Sequence, residues 1–366
     1  MKKGIRLAFL ADGTSVHTKR WLTCFSEMGY DVHLLTFTPE FVPGVHIHKL
    51  GYFGKGRYPL RIWSIRRTID QVNPDILHAH YVSNYGVYAA LSGFRPLVLS
   101  VWGDDIAVDP ERSMARKLSV EFALKRADVV HTSDKVGQGS LVELGCDPRK
   151  IFVQEWWVDT SVFSPDARST DLRRALGIDN SYSVLCARWW RPEYSVDVFI
   201  RAMPMVLSEL PNIKFILLGG GVLENSLKEL AKSLGVYENV AFIGGIPESQ
   251  MPAYLASVDV YVDTVARVKG VGGMGQTTRE VMACGTPQIL GDLVGVRGGG
   301  WFRGVMYQQS NHQDLAEKII NVLKDEKLRM RIREESRNYI LQCCSRERVL
   351  SRLDLLYTTL CAGVRK

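Results

Sequence analysis

"VDVYVDTVARVKGVGGMGQTTREVMACGTPQIL", residues 258–290, holds the pattern on which the fold turns. A β-branched run (258–263) delivers the chain to a glycine-rich loop, and a helical stretch begins near Gly275-Gln276-Thr277-Thr278. The segment TPQIL (286–290) then resumes a short apolar strand. Strand, crossover helix and strand make a parallel βαβ unit. A glycine loop opening into a helix leaves backbone N–H groups in the first turn, and the helix dipole behind them attracts phosphate oxygens. Thr277 and Thr278 can cap that helix or give hydroxyls to a ligand. Glu280 would repel a phosphate it faced, so its natural partner is a pair of hydroxyls such as a ribose diol. The alternative is a loop shaped for tight packing, with Glu280 solvated.

The same alternation runs through most of the chain. Strands are expected at 5–11, 31–37, 75–80, 97–102, 128–133 and 150–156, with helical periodicity at 14–28, 113–126 and 134–144. It restarts with strands at 183–188, 214–219, 240–244, 258–263 and 286–290 and helices near 195–209, 224–234, 248–256 and 276–284. Such alternation predicts α/β architecture: parallel sheets covered by helices on both faces. It implies two doubly wound domains, at 1–163 and 181–344, joined by a Pro-, Ser- and Asp-rich linker at 164–180. Facing strand ends of two such domains make a cleft where open sheets bind ligands. From 311 onward the pattern is helical in three segments without a strand, and 345–366 is expected to pack back across the domains.

At 366 residues each half can bury a substantial core. Seven unpatterned Cys argue against a disulfide framework or structural zinc and for a reducing compartment, read as cytoplasmic. No apolar run reaches the ~18 residues that cross a bilayer. His78 and His80 share a strand face, as do His46 and His48, but neither pair has a carboxylate or Cys near it in sequence, so no metal site is expected. The net charge of +7 is uneven: "GYFGKGRYPLRIWSIRR" (51–67) holds five basic residues and four aromatics without an acid. It reads either as a solvated helix face or as a surface for anionic lipid headgroups at the cytoplasmic membrane face. No nucleic-acid-binding module accompanies the charge.

Further candidates flank the strand ends. Arg188 closes the strand "SVLCAR", and "RWWRPEY" adds Arg191. A guanidinium facing a helix N-terminus would complete a diphosphate clamp, although two Trp beside two Arg also suit cation–π packing. In "LADGTSVHTKRW" (10–21) Gly13 ends a strand and starts a helix, with His17 in its first turn. His17 reads either as a packed residue or as a functional one. In "SVWGDDI" (100–106) one of Asp104 and Asp105 caps the next segment, and the other is placed to bind sugar hydroxyls.

"ARWWRPEYSVDVFIRAM", "KFILLGGG", "VAFIGGIPESQMPAYLASVDVYVDT" and "REVMACGTPQIL", in that order, resemble the C-terminal domain of the GT-B-fold glycosyltransferases of family 4. "DGTSVHTKRW", "DILHAHYVSNYG", "LVLSVWGDDI" and the run from "ADVVHTSDK" to "VDTSVFSP" extend the likeness over essentially the whole chain. The resemblance implies a GT-B fold with two Rossmann-like domains, the N-terminal one on the acceptor side. It also implies transfer of a sugar, hexosyltransferase-like, from a nucleotide-diphosphate donor with retention of configuration, without metal or other cofactor. Glu280 would hold the ribose, Arg188 the diphosphate, and Ile246 would lie near the base. The family's first glutamate falls at Gly272, so the backbone of Gly272-Gly273-Met274 would serve the donor sugar. Tyr194 stands near the family's phosphate-binding Lys, with Arg191 a replacement charge. Trp102 stands at the family's frequent His, which leaves His17, Asp104 and Arg188 as candidates for the chemistry and Gly13 and the Gly275–Thr278 turn for the donor.

Two other readings remain: a sugar-nucleotide epimerase on the same scaffold, or a protein that binds nucleotide or glycan without catalysis, suggested by Gly272 and Trp102. No G-x-G-x-x-G succeeds the first strand, which excludes a nicotinamide dehydrogenase of the usual pattern.

Overall fold

Continuous apolar strands need cover on both faces, and this chain supplies it twice. The computed structural model describes residues 4–51, 58–264, 275–292 and 302–364. The first sheet comprises β1 (Arg6–Leu10), β2 (Asp31–Thr36), β3 (Val45–Lys49), β4 (Ile76–His80), β5 (Leu97–Ser100), β6 (Val129–Thr132) and β7 (Ile151–Val153). Its order is β3-β2-β1-β4-β5-β6-β7 and every pairing is parallel. The second comprises β8 (Tyr182–Ala187), β9 (Ile213–Leu218), β10 (Val240–Gly244), β11 (Val260–Asp263), β12 (Gln288–Gly291) and β13 (Val305–Tyr307), in the parallel order β10-β9-β8-β11-β12-β13.

The expected strands form. Two more join at sheet edges: β3, half-exposed, and β13, only three residues long. Helices start where a short polar side chain can take an orphan N–H. Ser15 accepts from Thr18 ahead of Val16–Glu27, Ser113 from Arg116 ahead of Met114–Arg126, and Asp134 from Gly137 ahead of Lys135–Glu143. In the second sheet the period of two along β8 sorts the core. Val184 and Cys186 face the helix Val196–Glu209, which buries Phe199, Met203 and Val206; Leu185 and Ala187 face the layer holding Val281 and Met282. Each large side chain so buried contributes roughly 1.5–3 kcal/mol.

The chain divides into two compact units that exchange at Glu155/Trp156. The first holds residues 4–155 and takes back 350–364; the second holds the described residues from 156 to 349. The stretch 164–180, expected as a linker, carries the short helix Thr170–Ala175 capped by Ser169, and Arg173 bonds the carbonyls of Ser257 and Ile178 within the second unit. The three C-terminal helices are His312–Lys324, Glu326–Tyr339 and Arg346–Val364, as the periodicity indicates.

The last helix completes the first unit through buried polar contacts. Tyr30 Oη donates to Asp354 at 2.6 Å, and Tyr357, fully buried, meets His78 Nδ1 at 2.6 Å. From there His78 Nε2 reaches Ser100 Oγ at 2.7 Å, Ser100 reaches His131 Nδ1 at 2.8 Å, and His131 Nε2 reaches the Gln154 carbonyl at 2.8 Å. A carbonyl can only accept, so His131 Nε2 donates. With neutral imidazoles every proton in the chain is then assigned, ending with Tyr357 O–H donating to His78. Burial holds His78 well below the ordinary imidazole value, consistent with that neutral form. Among the described residues no helix is long and apolar enough to cross a membrane.

Candidate active site

In an open α/β sheet the ligand crevice lies beyond the carboxyl ends of the strands, where the strand order reverses. In the second unit that reversal falls between β8 and β11. Arg188 comes directly after β8 and Asp263 ends β11, so the two face each other across the switch point. Arg188 Nε donates to Asp263 Oδ1 at 2.9 Å, and its Nη2 donates to Oδ2. The pair is almost enclosed, with side chains 13% and 7% exposed. Burial alone would favour loss of the Arg188 proton, but the adjacent Asp263 carboxylate outweighs it and fixes the charged form.

The guanidinium also reaches the helix Gln276–Ala283. A Cβ placed on Gly275 would lie 3.3 Å from Arg188 Nη2 and 3.7 Å from Nη1. Gly275 is that helix's N-cap and offers no side-chain bond, and the first intrahelical bond is Arg279 N to the Gly275 carbonyl. Arg188 therefore sits at an N-terminus that no side chain caps. Thr278 does not look outward: its hydroxyl, buried, donates to Asp263 Oδ2 at 3.1 Å and steadies the carboxylate. Glu280, one turn on and 4% exposed, receives Gln276 Nε2 at 3.4 Å, and the same amide donates to the Trp157 carbonyl at 3.1 Å. Thr277 is half-buried in the same turn.

Tyr194 lies with its ring 5.9 Å from Arg188 Cζ, and its carbonyl accepts from Thr264 at 2.7 Å. Arg191 is exposed and stacks on Trp189 at 5.6 Å, the cation–π packing that two Trp beside two Arg suggest. Ile246, past the end of β10, is partly buried against the core beneath the helix Gln276–Ala283. The glycines after β9 serve packing. A Cβ on Gly219 would stand 2.0 Å from the Arg188 carbonyl oxygen, and one on Gly221 would stand 2.4 Å from that of Trp190. Gly272, Gly273 and Met274 lie outside the described residues.

In the first unit the order reverses between β1 and β4. Gly13 lies just past β1, but its amide is already bonded to the hydroxyls of Thr36 and Thr38, at 3.1 and 3.2 Å. A Cβ there would meet the Thr38 carbonyl at 2.4 Å. Its glycine identity is thus explained by packing, and its N–H is not offered to a ligand. His17 stands edge-on to Trp102 with centroids 5.4 Å apart, and Trp102 in turn packs on the buried His80. Asp104 is exposed. Asp105 is buried and accepts from the amides of Trp102, Gly103 and Val82 at 2.9, 3.0 and 2.7 Å, so it is the capping member of the pair.

Burial pushes the Asp105 carboxyl from 3.8 up to about 6, with its amide bonds offsetting part of the rise. Between those values the folded chain binds a proton that the unfolded chain has released. This group's contribution to stability is therefore present at low pH and falls by up to about 3 kcal/mol as pH rises from about 4 through 6. Denaturant melts should show wild type and Asp105→Asn drawing together by that amount between about pH 4 and pH 7. Parallel curves would mean that Asp105 ionises alike in both states.

Two residues at the strand ends, one in each unit, escape the sequence pattern. In the sequence Asp263 is only the end of a strand; its role depends on β8 lying beside β11, which local pattern does not reveal. Tyr81, at the end of β4, has φ 66°, uncommon for a residue with a side chain. Amide bonds to its carbonyl from Asn84 and Gly86 hold it there. Burial, then Asp109, Asp105 and Asp104, push its phenol upward. In the basic stretch Arg61 bonds the Tyr88 hydroxyl and Arg66 the carbonyls of Leu91 and Ser92, leaving Trp63, 56% exposed, stacked with Arg67.

Residues 6–134 match the family described as glycosyl transferase 4-like, and residues 169–339 match glycosyl transferases group 1. The GDP-mannose-dependent alpha-(1-6)-phosphatidylinositol monomannoside mannosyltransferase of Mycolicibacterium smegmatis is 35% identical over 37% of this chain and 36% of its own length. The first curated relatives are all matched over only 36–37% of their length. The N-acetyl-alpha-D-glucosaminyl L-malate synthase of Bacillus anthracis is 24% identical over 91% of this chain and 90% of its own. Among solved structures, Anabaena HepE in complex with UDP-glucose superposes with TM-score 0.82 and 18% identity, covering 98% of this chain and all of that one. The two doubly wound parallel sheets are thus those of the GT-B fold.

Proposed function

We propose, from the premise that this chain belongs to the glycosyl transferases of group 1, that it moves a sugar from a nucleotide-diphosphate donor to a hydroxyl of a glycan or lipid-linked acceptor. The observation that carries the reading is the Arg188 guanidinium, held by Asp263 against the uncapped start of the helix Gln276–Ala283.

When the bond from the anomeric carbon to the diphosphate breaks, negative charge collects on the phosphate oxygens. Arg188 and the first-turn N–H groups are fixed before that charge appears, which is the arrangement that lowers such a barrier most. Two of the five guanidinium N–H groups serve Asp263; the others remain to meet the phosphate. Glu280, with Gln276 steadying it, takes the ribose hydroxyls. The anomeric carbon then bonds to the acceptor oxygen while the acceptor's proton passes to the departing phosphate. The sugar keeps its configuration by this front-face route, and no metal ion enters the step. In the first unit the exposed Asp104 is the carboxylate suited to acceptor hydroxyls, with His17 beside Trp102.

A panel including GDP-mannose and UDP-glucose, the donors named for the relative and the fold neighbour, tests the reading with glycan and phosphatidylinositol-type acceptors. Binding without turnover across that panel would make this a nucleotide-binding protein instead. Product anomeric configuration tests retention. Glu280→Ala should weaken nucleotide binding about 10- to 100-fold, the worth of hydrogen bonds to a charged group, and Arg67→Ala by less than about twofold. Equal losses would place the site elsewhere.

A further inference from the structure

The edge of the first sheet gathers a second set of chemically active side chains. β2 and β3 pair in parallel with His33 opposite His46 and Leu35 opposite His48. Side chains two apart share a sheet face, so Asp31 and His33 from β2 stand with His46 and His48 from β3. The carboxylate that local sequence did not offer to His46 is thus brought in from the neighbouring strand. Asp31 Oδ1 lies 3.1 Å from His33 Nε2 and 3.6 Å from His46 Nε2, and all three atoms fall within 4.8 Å of one another. The rings of His33 and His46 are stacked, with centroids 4.8 Å apart.

We propose that Asp31, His33 and His46 form a binding site for a divalent transition metal of the zinc class. Zinc takes imidazole nitrogen and carboxylate oxygen at about 2.0–2.2 Å in a tetrahedron, whose ligand atoms stand roughly 3.3 Å apart. Two of the three separations already match. The third closes by rotation of His46, whose side chain is 67% exposed and free to turn. His33 Nε2 is buried and lies close to the carboxylate without the geometry of a hydrogen bond, which suits a shared ion.

The surroundings hold the ligands in the required form. Arg6 Nε donates to Asp31 Oδ2 at 2.9 Å, leaving Oδ1 for the ion. His33 Nδ1 meets His48 Nε2 at 2.9 Å, so with a metal on Nε2 the Nδ1–H donates to His48, the outer-shell bond that metal-bound histidines usually make. Two imidazoles and one carboxylate select zinc-class ions over magnesium or calcium. Asp31 opens β2, which puts the cluster toward the amino ends of the strands, away from the crevice end. The ion would clamp the half-exposed edge strand β3 to β2 and would stabilise the fold rather than take part in sugar transfer.

The full chain, stripped with chelator, is titrated with cobalt(II) followed by its visible absorption, then with competing zinc, and its thermal unfolding is recorded with and without zinc. One equivalent should bind, displaced by zinc and accompanied by a rise in Tm. His46→Ala, at an exposed position that leaves folding intact, should lose affinity about tenfold or more, as should His33→Ala, while His312→Ala in the second unit changes nothing. Failure to bind one equivalent at about 100 µM metal would overturn the site. So would binding that His46→Ala leaves untouched.

Discussion

Arg188→Ala lowers sugar transfer by about 100- to 1000-fold at saturating donor, the usual loss when a fixed donor to a developing oxyanion is removed. The proposed contact with the leaving diphosphate rests on its position at the helix start. Alanine also takes the guanidinium from Asp263, a carboxylate 7% exposed that accepts from Thr278 as well. Breaking a buried ion pair by removing one partner costs about 3–5 kcal/mol, so the melting curve of this variant must be measured beside its kinetics. Arg188→Lys separates the two effects. Lysine keeps a charge for Asp263 but cannot form the paired bonds from Nε and Nη2, nor present a planar fork to phosphate. It should fold while kcat stays depressed by at least about tenfold. A folded Lys variant with wild-type kcat would refute the assignment.

The second large effect is on folding. Gly219→Ala should remove about 3–5 kcal/mol, a sizeable part of the 5–15 kcal/mol by which domains are stable. Gly219 has φ +137°, and the added Cβ would stand 2.0 Å from the Arg188 carbonyl oxygen and 2.9 Å from its carbon. Both atoms are backbone, tied into the sheet by Arg188 N bonding the Leu218 carbonyl, so neither yields cheaply. Gly220→Ala is the control, because nothing lies within 4 Å of its Cβ position. Denaturant midpoints should fall steeply for the first and barely for the second. Equal midpoints would show that the close approach is not what requires glycine.

Both predictions rest on adjacency that local pattern carries poorly. The strands of the two sheets are legible because parallel strands buried on both faces are nearly continuous apolar runs, as β1 and β9 are apart from Arg6 and Lys214. The helix Gln276–Ala283 and its open first turn can be read from the glycine run ahead of it. Asp263 escapes because its meaning depends on β8 and β11 being neighbours, although 72 residues of chain separate Ala187 from Val260. β3 is legible only in part, through the strand face that His46 and His48 share: at an edge its residues are half-solvated and the apolar signal fades. The Gly219–Gly221 run lacks the spacing of a dinucleotide loop, yet its purpose is visible only with the Arg188–Trp190 segment passing beneath it. Gly13 shows the converse, for a glycine at a strand-to-helix turn invites a phosphate reading and here meets a threonine carbonyl.

The first unit is discontinuous in the chain, and Tyr357 supplies the proton that begins its internal relay. A ribosome making this protein finishes β1 through β7 long before residues 350–364 emerge. Until then Phe25, Tyr30 and His78 lack the cover that Asp354 and Tyr357 give them. The second unit, whose described residues run from 156 to 349, takes nothing from 350–364 and has no such wait. Maturation is therefore ordered from the tail: the sheet synthesised first is the one completed last.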